Sequence, residues 1–256
     1  MRTSSAFAFS VALLASPGLA TEARPVDPAS LFATAFTAYA TGDTATALAG
    51  YRDAARLGHL PAAWKLARMY ESGDGVDRSD ARAFELYRDI ARRFGSIRPR
   101  DRDAVYVSSA FLHLAHYFRD GIEGGIAADP TRARLTFFYA ASYFGDADAQ
   151  FELGSMMMAG AGGPRDQRNG LRWLNSAAEK GHTGAAARLG SALFHGRGTP
   201  PRRIDGLAML LRAAVDAREV DRGWIEALRD AALEGATREV AAEAESRNAP
   251  TAIEGS

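Results

Sequence analysis

Residues 66–76 read LARMYESGDGV, and the segment AFELY follows at residues 83–87. Apolar side chains within each segment are spaced three and four positions apart, which is typical of one face of a helix. Gly73 ends the first segment, and glycine readily adopts the left-handed backbone that closes a helix. The stretch therefore predicts two helices joined by a polar, glycine-rich loop.

The beginning of this stretch recurs along the chain. Each copy has a leucine, then alanine or glycine, then five residues, then a glycine. The four copies are Leu66 with Gly73, Leu114 with Gly121, Leu153 with Gly160, and Leu189 with Gly196. Recurrence at a regular spacing is the signature of a repeat architecture.

A second motif recurs out of phase with the first. It is a pair of small residues, usually Ala-Ala, with a large apolar residue three positions before it. The large residues are Tyr51, Tyr87, Phe137, Leu174 and Leu210, and the intervals between successive pairs are 36, 50, 37 and 36 residues. One helical hairpin cannot bury its apolar face alone, whereas stacked hairpins can. We therefore predict an all-α, right-handed solenoid of stacked helical hairpins.

These units resemble the Sel-one-like repeat, a relative of the tetratricopeptide repeat with a longer loop between its two helices. The resemblance covers roughly residues 30–217, and the first unit has a shorter, tetratricopeptide-like turn at Gly42 and Asp43. We predict a repeat domain over residues 21–234 with about five helix pairs. Trp224, Ile225 and Leu228 share a helical face that is expected to cap it, and residues 235–256 are expected to form a helical to disordered tail.

The N-terminus has the pattern of a secretory signal peptide over residues 1–20. A basic residue at Arg2 precedes the short apolar run 6–15, and small residues precede an expected cleavage between Ala20 and Thr21. The apolar run is shorter than the roughly 20 residues that a spanning helix needs. The pattern therefore predicts export to the periplasm and no membrane span in the mature chain.

Composition and motifs argue against nucleic-acid binding and against catalysis. The 31 basic residues equal the 31 acidic residues, whereas a nucleic-acid interface needs a basic excess. The chain has no cysteine, and Pro164 follows the glycines 160–163 where a phosphate loop would have lysine. His113 and His116 share a predicted helical face with Asp120 close by, but solvated polar roles are the simpler interpretation. We predict no enzyme activity, no cofactor and no metal.

An insertion over residues 96–103 accounts for much of the 50-residue interval. Insertions in repeat proteins map to loops and often lie on a binding edge. The alternative interpretation is a plain solvated loop. The candidate residues for partner contact or protease sensitivity are Arg98, Arg100, Asp101, Arg102 and Asp103.

The layout of the whole chain resembles the ExoR-type regulators of exopolysaccharide production. The resemblance rests on the signal peptide, the short first unit, the long second interval and the stretches 51–55, 149–153 and 224–228. It implies a periplasmic protein that binds the periplasmic domain of a membrane histidine kinase and holds the kinase inactive until the repressor is degraded. It carries over no catalytic residue.

The sequence leaves two other functions open. One is a periplasmic scaffold of the same fold for envelope protein assembly. The other is a hydrolase or peptidoglycan-binding enzyme on a repeat frame, which would depend on a polar residue in a cleft.

Overall fold

The computed structural model describes residues 26–248, and the expected signal peptide with its Ala20–Thr21 cleavage site lies outside this range. Within it the chain is helical. The helices are α1 (Pro28–Ala40), α2 (Thr44–Arg56), α3 (Leu60–Ser72), α4 (Asp80–Phe94), α5 (Ala104–Asp120), α6 (Pro130–Tyr139), α7 (Ala147–Ala159), α8 (Gln167–Glu179), α9 (Thr183–His195), α10 (Arg203–Val215), α11 (Glu219–Glu234) and α12 (Arg238–Asn248). A π-helical segment, Ala140–Phe144, continues α6.

Consecutive helices form hairpins that stack along the chain. Each odd-numbered helix from α1 to α9 packs against the even-numbered helix that comes after it, and each hairpin also contacts the next. The odd-numbered helix of each hairpin is called the first helix of its unit. The name is also used for α11, the odd-numbered helix that comes after the fifth hairpin. The arrangement confirms the prediction of an all-α array of stacked hairpins.

Side chains at the helix starts satisfy backbone N–H groups that have no partner within the helix. Asp27, Asp43, Ser79, Asp129, Asp146 and Asp166 accept such hydrogen bonds at helix N-caps. Two histidines do the same: His59 Nδ1 accepts from the Ala62 N–H at 3.2 Å, and His182 Nδ1 from the Ala185 N–H at 3.1 Å. These bonds fix where each helix begins.

Glycine closes the first helices of four units. Gly73, Gly160 and Gly196 adopt the left-handed conformation at the C-caps of α3, α7 and α9. Gly121 has a φ of 75° but a ψ of −178°, so it departs from the left-handed cap expected there. The chain instead turns back at once, and Ile122 pairs with Ile126 in an isolated antiparallel bridge.

The recurring large apolar residues lie in the interior. Tyr51, Tyr87, Phe137 and Leu210 are 0% exposed, and the other motif residues Leu66, Leu114, Leu153, Leu174 and Leu189 are also buried. These side chains belong to successive core clusters that follow the array from the first unit to the last. The two sequence motifs therefore occupy positions where neighbouring helices meet.

Two further helices follow the fifth hairpin. α11 contacts α9 and α10 and buries Ile225, and α12 contacts α10 and buries Ala244. The segment after Gly235, for which the sequence suggested only a helical to disordered tail, thus contributes a packed helix as far as Asn248. No helix among residues 26–248 combines the length and the apolar character that a membrane crossing requires.

Candidate protein-binding face

The first helices share a row of side chains that the repeat register brings together. Successive first helices contact each other directly at α3–α5, α7–α9 and α9–α11. On α3, α5, α7 and α9, the residues one before, two after and five after the motif leucine lie on one side of the helix. All of these residues except the buried Phe194 form what we call the first-helix stripe: Lys65, Arg68, Glu71, His113, His116, Arg119, Glu152, Ser155, Met158, Arg188 and Ser191.

Glu71 is the centre of a polar group between α3 and α5. One carboxylate oxygen lies 2.9 Å from His113 Nδ1, and the other accepts from Arg68 Nη1 at 2.7 Å and from the Tyr87 hydroxyl at 3.1 Å. The His113 ring stacks on Tyr87 with 4.8 Å between the centroids. Burial disfavours the carboxylate, but its bonds to His113 and the nearby charges outweigh this and hold the pKa of Glu71 below its usual value.

Lys65 extends this group toward the first unit. Its ammonium lies 3.8 Å from the centroid of the Tyr39 ring and 3.5 Å from a carboxylate oxygen of Asp74. The Tyr39 hydroxyl donates a hydrogen bond of 2.5 Å to the same oxygen. The stripe therefore begins with a cation that is already held by an aromatic ring and an acid.

Arg119 and Glu152 connect α5 to α7. Their ion pair measures 2.9 Å, and Arg119 also binds the carboxylate of Asp120. His116 lies beside the pair, with its ring edge-on to Phe137 at 5.2 Å. Burial of the imidazole lowers the pKa of His116, so the neutral ring is favoured there.

At the other end of the stripe, Arg188 lies near two aromatic rings. Its guanidinium carbon is 5.3 Å from the centroid of Phe151 and 5.4 Å from that of Trp224. The His182 ring stacks on Phe151, with 4.5 Å between the centroids. Burial lowers the pKa of the guanidinium, although the residue as a whole remains exposed. Arginine and tryptophan are common anchors in protein interfaces.

The possible metal ligands among the histidines have other partners. His113 binds Glu71, His116 contacts Phe137, and Asp120 pairs with Arg119. In the part of the chain that the structure describes, no group of three histidine, cysteine, aspartate or glutamate side chains is placed to hold a metal ion. Most charged side chains of the stripe are therefore paired, whereas Arg188 forms no ion pair within residues 26–248, and aromatic rings lie close to several of them.

The inserted loop lies away from these pairs, between α4 and α5. Ile97 packs against the core, while Arg98, Arg100 and Arg102 are exposed. Two turns fold the loop: the Asp101 N–H donates to the Arg98 carbonyl at 2.9 Å, and the Ala104 N–H donates to the Asp101 carbonyl at 3.0 Å. Asp103 is the first residue before α5 and makes no side-chain cap bond.

The stripe is a site that the sequence patterns did not predict. They indicated His113 and His116 only as possible metal ligands, and they did not single out Arg68, Glu71, Arg119, Glu152 and Arg188. A signal was present, because the residue before each motif leucine is polar in all four copies: Lys65, His113, Glu152 and Arg188. Aligning the repeats on their leucines would have shown it.

The repeat itself is recognised by comparison with known families. A family model described as the Sel1 repeat matches residues 60–92, 147–182 and 183–214. These segments cover α3–α4, α7–α8 and α9–α10, so the hairpin with the short turn and the hairpin after the insertion lie outside the match. A solved protective antigen of uropathogenic Escherichia coli strains, which displays an SLR fold, superposes with a TM-score of 0.68 over 87% of this chain and 44% of that one, at 23% identity. This chain thus contains Sel1 repeats and shares the fold of that structure.

Two full-length relatives define the family more narrowly. An exopolysaccharide production negative regulator of Rhizobium leguminosarum bv. viciae is 39% identical over 234 residues, which are 91% of this chain and 82% of the relative. A protein of the same description from Rhizobium meliloti is 38% identical over 213 residues, which are 83% of this chain and 77% of the relative. The chain belongs to this family of exopolysaccharide production negative regulators, as the ExoR-type resemblance predicted.

Proposed function

We propose that this chain is a periplasmic negative regulator of exopolysaccharide production that acts by binding the periplasmic sensor domain of a membrane histidine kinase. The kinase is held inactive while the complex persists, and its response regulator then stays unphosphorylated. The observation that carries the proposal is the 39% identity to a named negative regulator over 82% of that protein's length. Export across the inner membrane follows from the signal-peptide pattern of residues 1–20.

The geometry of the stripe supports binding rather than catalysis. Most of its charged groups are paired, as in Arg119–Glu152 and Arg68–Glu71. Aromatic side chains lie beside them, with Trp224 and Phe151 near Arg188. Tryptophan, tyrosine and arginine dominate the residues that contribute most to protein binding energy. We therefore assign partner binding to the first-helix stripe.

A competition pull-down tests the function. The tagged mature chain, beginning at Thr21, is incubated with envelope extract from its own organism. We expect a membrane histidine kinase to be recovered and to be displaced by an excess of its isolated periplasmic domain. Deleting the gene should raise exopolysaccharide production, and a kinase deletion in the same strain should reverse that rise.

The alternative of an envelope scaffold makes opposite predictions. A scaffold would recover cell-envelope assembly proteins without a kinase, and the kinase deletion would leave the phenotype unchanged. An enzyme with the same repeat fold would lose its effect on exopolysaccharide production when a single polar residue in a cleft is replaced, even though partner binding stays intact. Either of these results would contradict the proposed function.

Limited proteolysis tests the loop over residues 96–103. Trypsin cleaves after arginine but not before proline, so Pro99 protects the Arg98 site. We expect the first cleavage after Arg100 or Arg102, because exposed loops are cut before packed helices. The products should be a fragment containing α1–α4 and one containing α5–α12, identified by mass spectrometry.

The matched control replaces both exposed arginines of the loop with glutamine. The variant Arg100→Gln/Arg102→Gln should keep the helical content of the parent chain and survive several times longer under the same digestion. If the first cut falls elsewhere in both proteins, this loop is not the protease-sensitive segment.

A further inference from the structure

A small pocket lies between α7, α9 and α11, at the C-terminal end of the first-helix stripe. Its volume is about 120 Å³, and its polar lining comes from Ser155, Arg188, Ser191 and Arg197. Leu174 and Leu228 form part of its apolar wall. Pockets that take drug-sized ligands have volumes of roughly 300–1,000 Å³. This one has room for a single small group and not for a sugar ring or a nucleotide.

Two serine hydroxyls on residues that line this pocket have no hydrogen-bond partner among residues 26–248. The Oγ atoms of Ser155 and Ser191 are both buried and unpartnered, and Ser191 as a whole is only 3% exposed. The two serines occupy equivalent positions, two residues after the motif leucines of α7 and α9. Buried hydroxyls are nearly always hydrogen-bonded in folded proteins, so an unpartnered pair on residues that line one cavity points to a ligand with acceptor atoms.

The same pocket holds two arginines with unused hydrogen-bonding capacity. Within residues 26–248, neither Arg188 nor Arg197 forms an ion pair, while neighbouring arginines such as Arg119 and Arg202 do. The guanidinium carbon of Arg188 lies 5.3 Å and 5.4 Å from the ring centroids of Phe151 and Trp224, and its N–H groups donate to no acceptor among residues 26–248. An arginine edge beside two hydroxyl donors matches the acceptor oxygens of a small anion.

The opposing charge that acts on Arg188 is Glu152, which lies on α7 close enough to interact with it. Its carboxylate is already engaged by Arg119 at 2.9 Å. The positive charge of Arg188 is therefore not neutralised by a direct ion pair. The balance around the pocket remains favourable for an incoming negative charge.

From these contacts we propose that the pocket binds a small oxyanion group, a carboxylate or a phosphate or sulfate. Arg188 and Arg197 supply the charge, and the Ser155 and Ser191 hydroxyls donate hydrogen bonds to the oxygens. The group belongs either to a free ion or to an acidic side chain of a bound protein. The proposal goes beyond the proposed function because it concerns a ligand site on this chain. It can be tested on the isolated chain, without the kinase.

The test is a titration of the ¹⁵N-labelled chain followed by NMR at constant ionic strength, with chloride as the reference anion. The probes are phosphate, sulfate, N-acetyl-glutamate amide and its neutral analogue N-acetyl-glutamine amide. We expect saturable shifts confined to amides of α7, α9 and the 196–200 loop. The neutral analogue should produce none, because it lacks the negative charge that the arginines recognise.

Substitutions separate this site from general charge attraction. Arg188→Met should weaken binding at least about tenfold, since it removes charge-assisted hydrogen bonds. Ser191→Ala should weaken binding without lowering the Tm of the free protein, because it deletes a hydroxyl that has no partner. The matched control is Arg132→Met, which removes another arginine that lies over an aromatic ring, 4.0 Å from the centroid of Phe118, outside the pocket.

The relative affinities identify the source of the oxyanion. Tighter binding of phosphate or sulfate than of N-acetyl-glutamate amide supports a free or esterified inorganic anion. The reverse order supports an acidic side chain. Binding of none of the three anions would mean that water alone satisfies the serines, and equal binding by Arg188→Met would mean adventitious ions only. Either of these two results overturns the proposal, whatever the pull-down finds.

Discussion

Replacing Phe137 with alanine is expected to lower the free energy of unfolding by about 3–5 kcal/mol, the usual cost of deleting a buried phenylalanine ring. Phe137 is 0% exposed and lies in the core cluster that extends from α3 to α7. Its ring also supports His116 at 5.2 Å. The substitution therefore creates a cavity beneath the middle of the first-helix stripe.

The position in the array explains why the loss should be large. In a solenoid each unit is stabilised mainly by its two neighbours. Phe137 is on α6, the second helix of the third unit, so the cavity lies midway along the array. Destabilisation there should weaken the connection between the units before and after it, and the remaining units should not compensate.

Urea denaturation followed by far-UV circular dichroism measures the effect. The control is Leu135→Ala on the same helix, whose side chain is 65% exposed and whose loss should change stability by at most about 0.5 kcal/mol. Similar midpoints for the two variants would mean that the core around α6 tolerates a cavity by rearranging. Amide hydrogen exchange should show the loss first in α5, α6 and α7.

The hairpin architecture could be predicted because it depends on local and recurring features. The motif leucines and the large residues before the small pairs are apolar, and they recur in register with the helices that contain them. All four motif leucines and all five large residues are buried. Because the same motifs occur in several units, the hairpin architecture could be predicted even though one unit is irregular.

The contacts within the first-helix stripe could not be predicted from the repeat pattern, because they join residues that are far apart in the chain. Glu71 meets His113, and Arg119 meets Glu152 across a separation of 33 positions. Each pair depends on the distance between two neighbouring units, and the sequence of one unit does not specify that distance. The unexpected ψ of Gly121 is instead a local feature, because the chain turns back directly after it and Ile122 pairs with Ile126 four residues later.

The close approach of α9 and α10 leads to the second large effect, in the variant Gly206→Ala. A Cβ atom at Gly206 would lie 2.5 Å from the Gly190 carbonyl oxygen and 2.5 Å from the Phe194 backbone nitrogen. Both are backbone atoms, so no change of rotamer can relieve the contact. We expect a net loss of about 1–3 kcal/mol, typical of overpacking, even though alanine is the better helix former.

The same substitution at Gly223 should have the opposite sign. Gly223 lies within α11, and a Cβ atom there would meet nothing within 4 Å. Gly223→Ala should therefore stabilise the chain by about 0.5–1 kcal/mol, because alanine loses less backbone entropy on folding. Both variants can be compared by thermal and urea denaturation under identical conditions.

If Gly206→Ala were as stable as the parent chain, α9 and α10 would have to separate at little cost, and the glycine pair would not set their spacing. Because α9 carries Arg188 and Ser191, a shift of this helix should also weaken any ligand held at that end of the stripe, while Gly223→Ala should leave it bound.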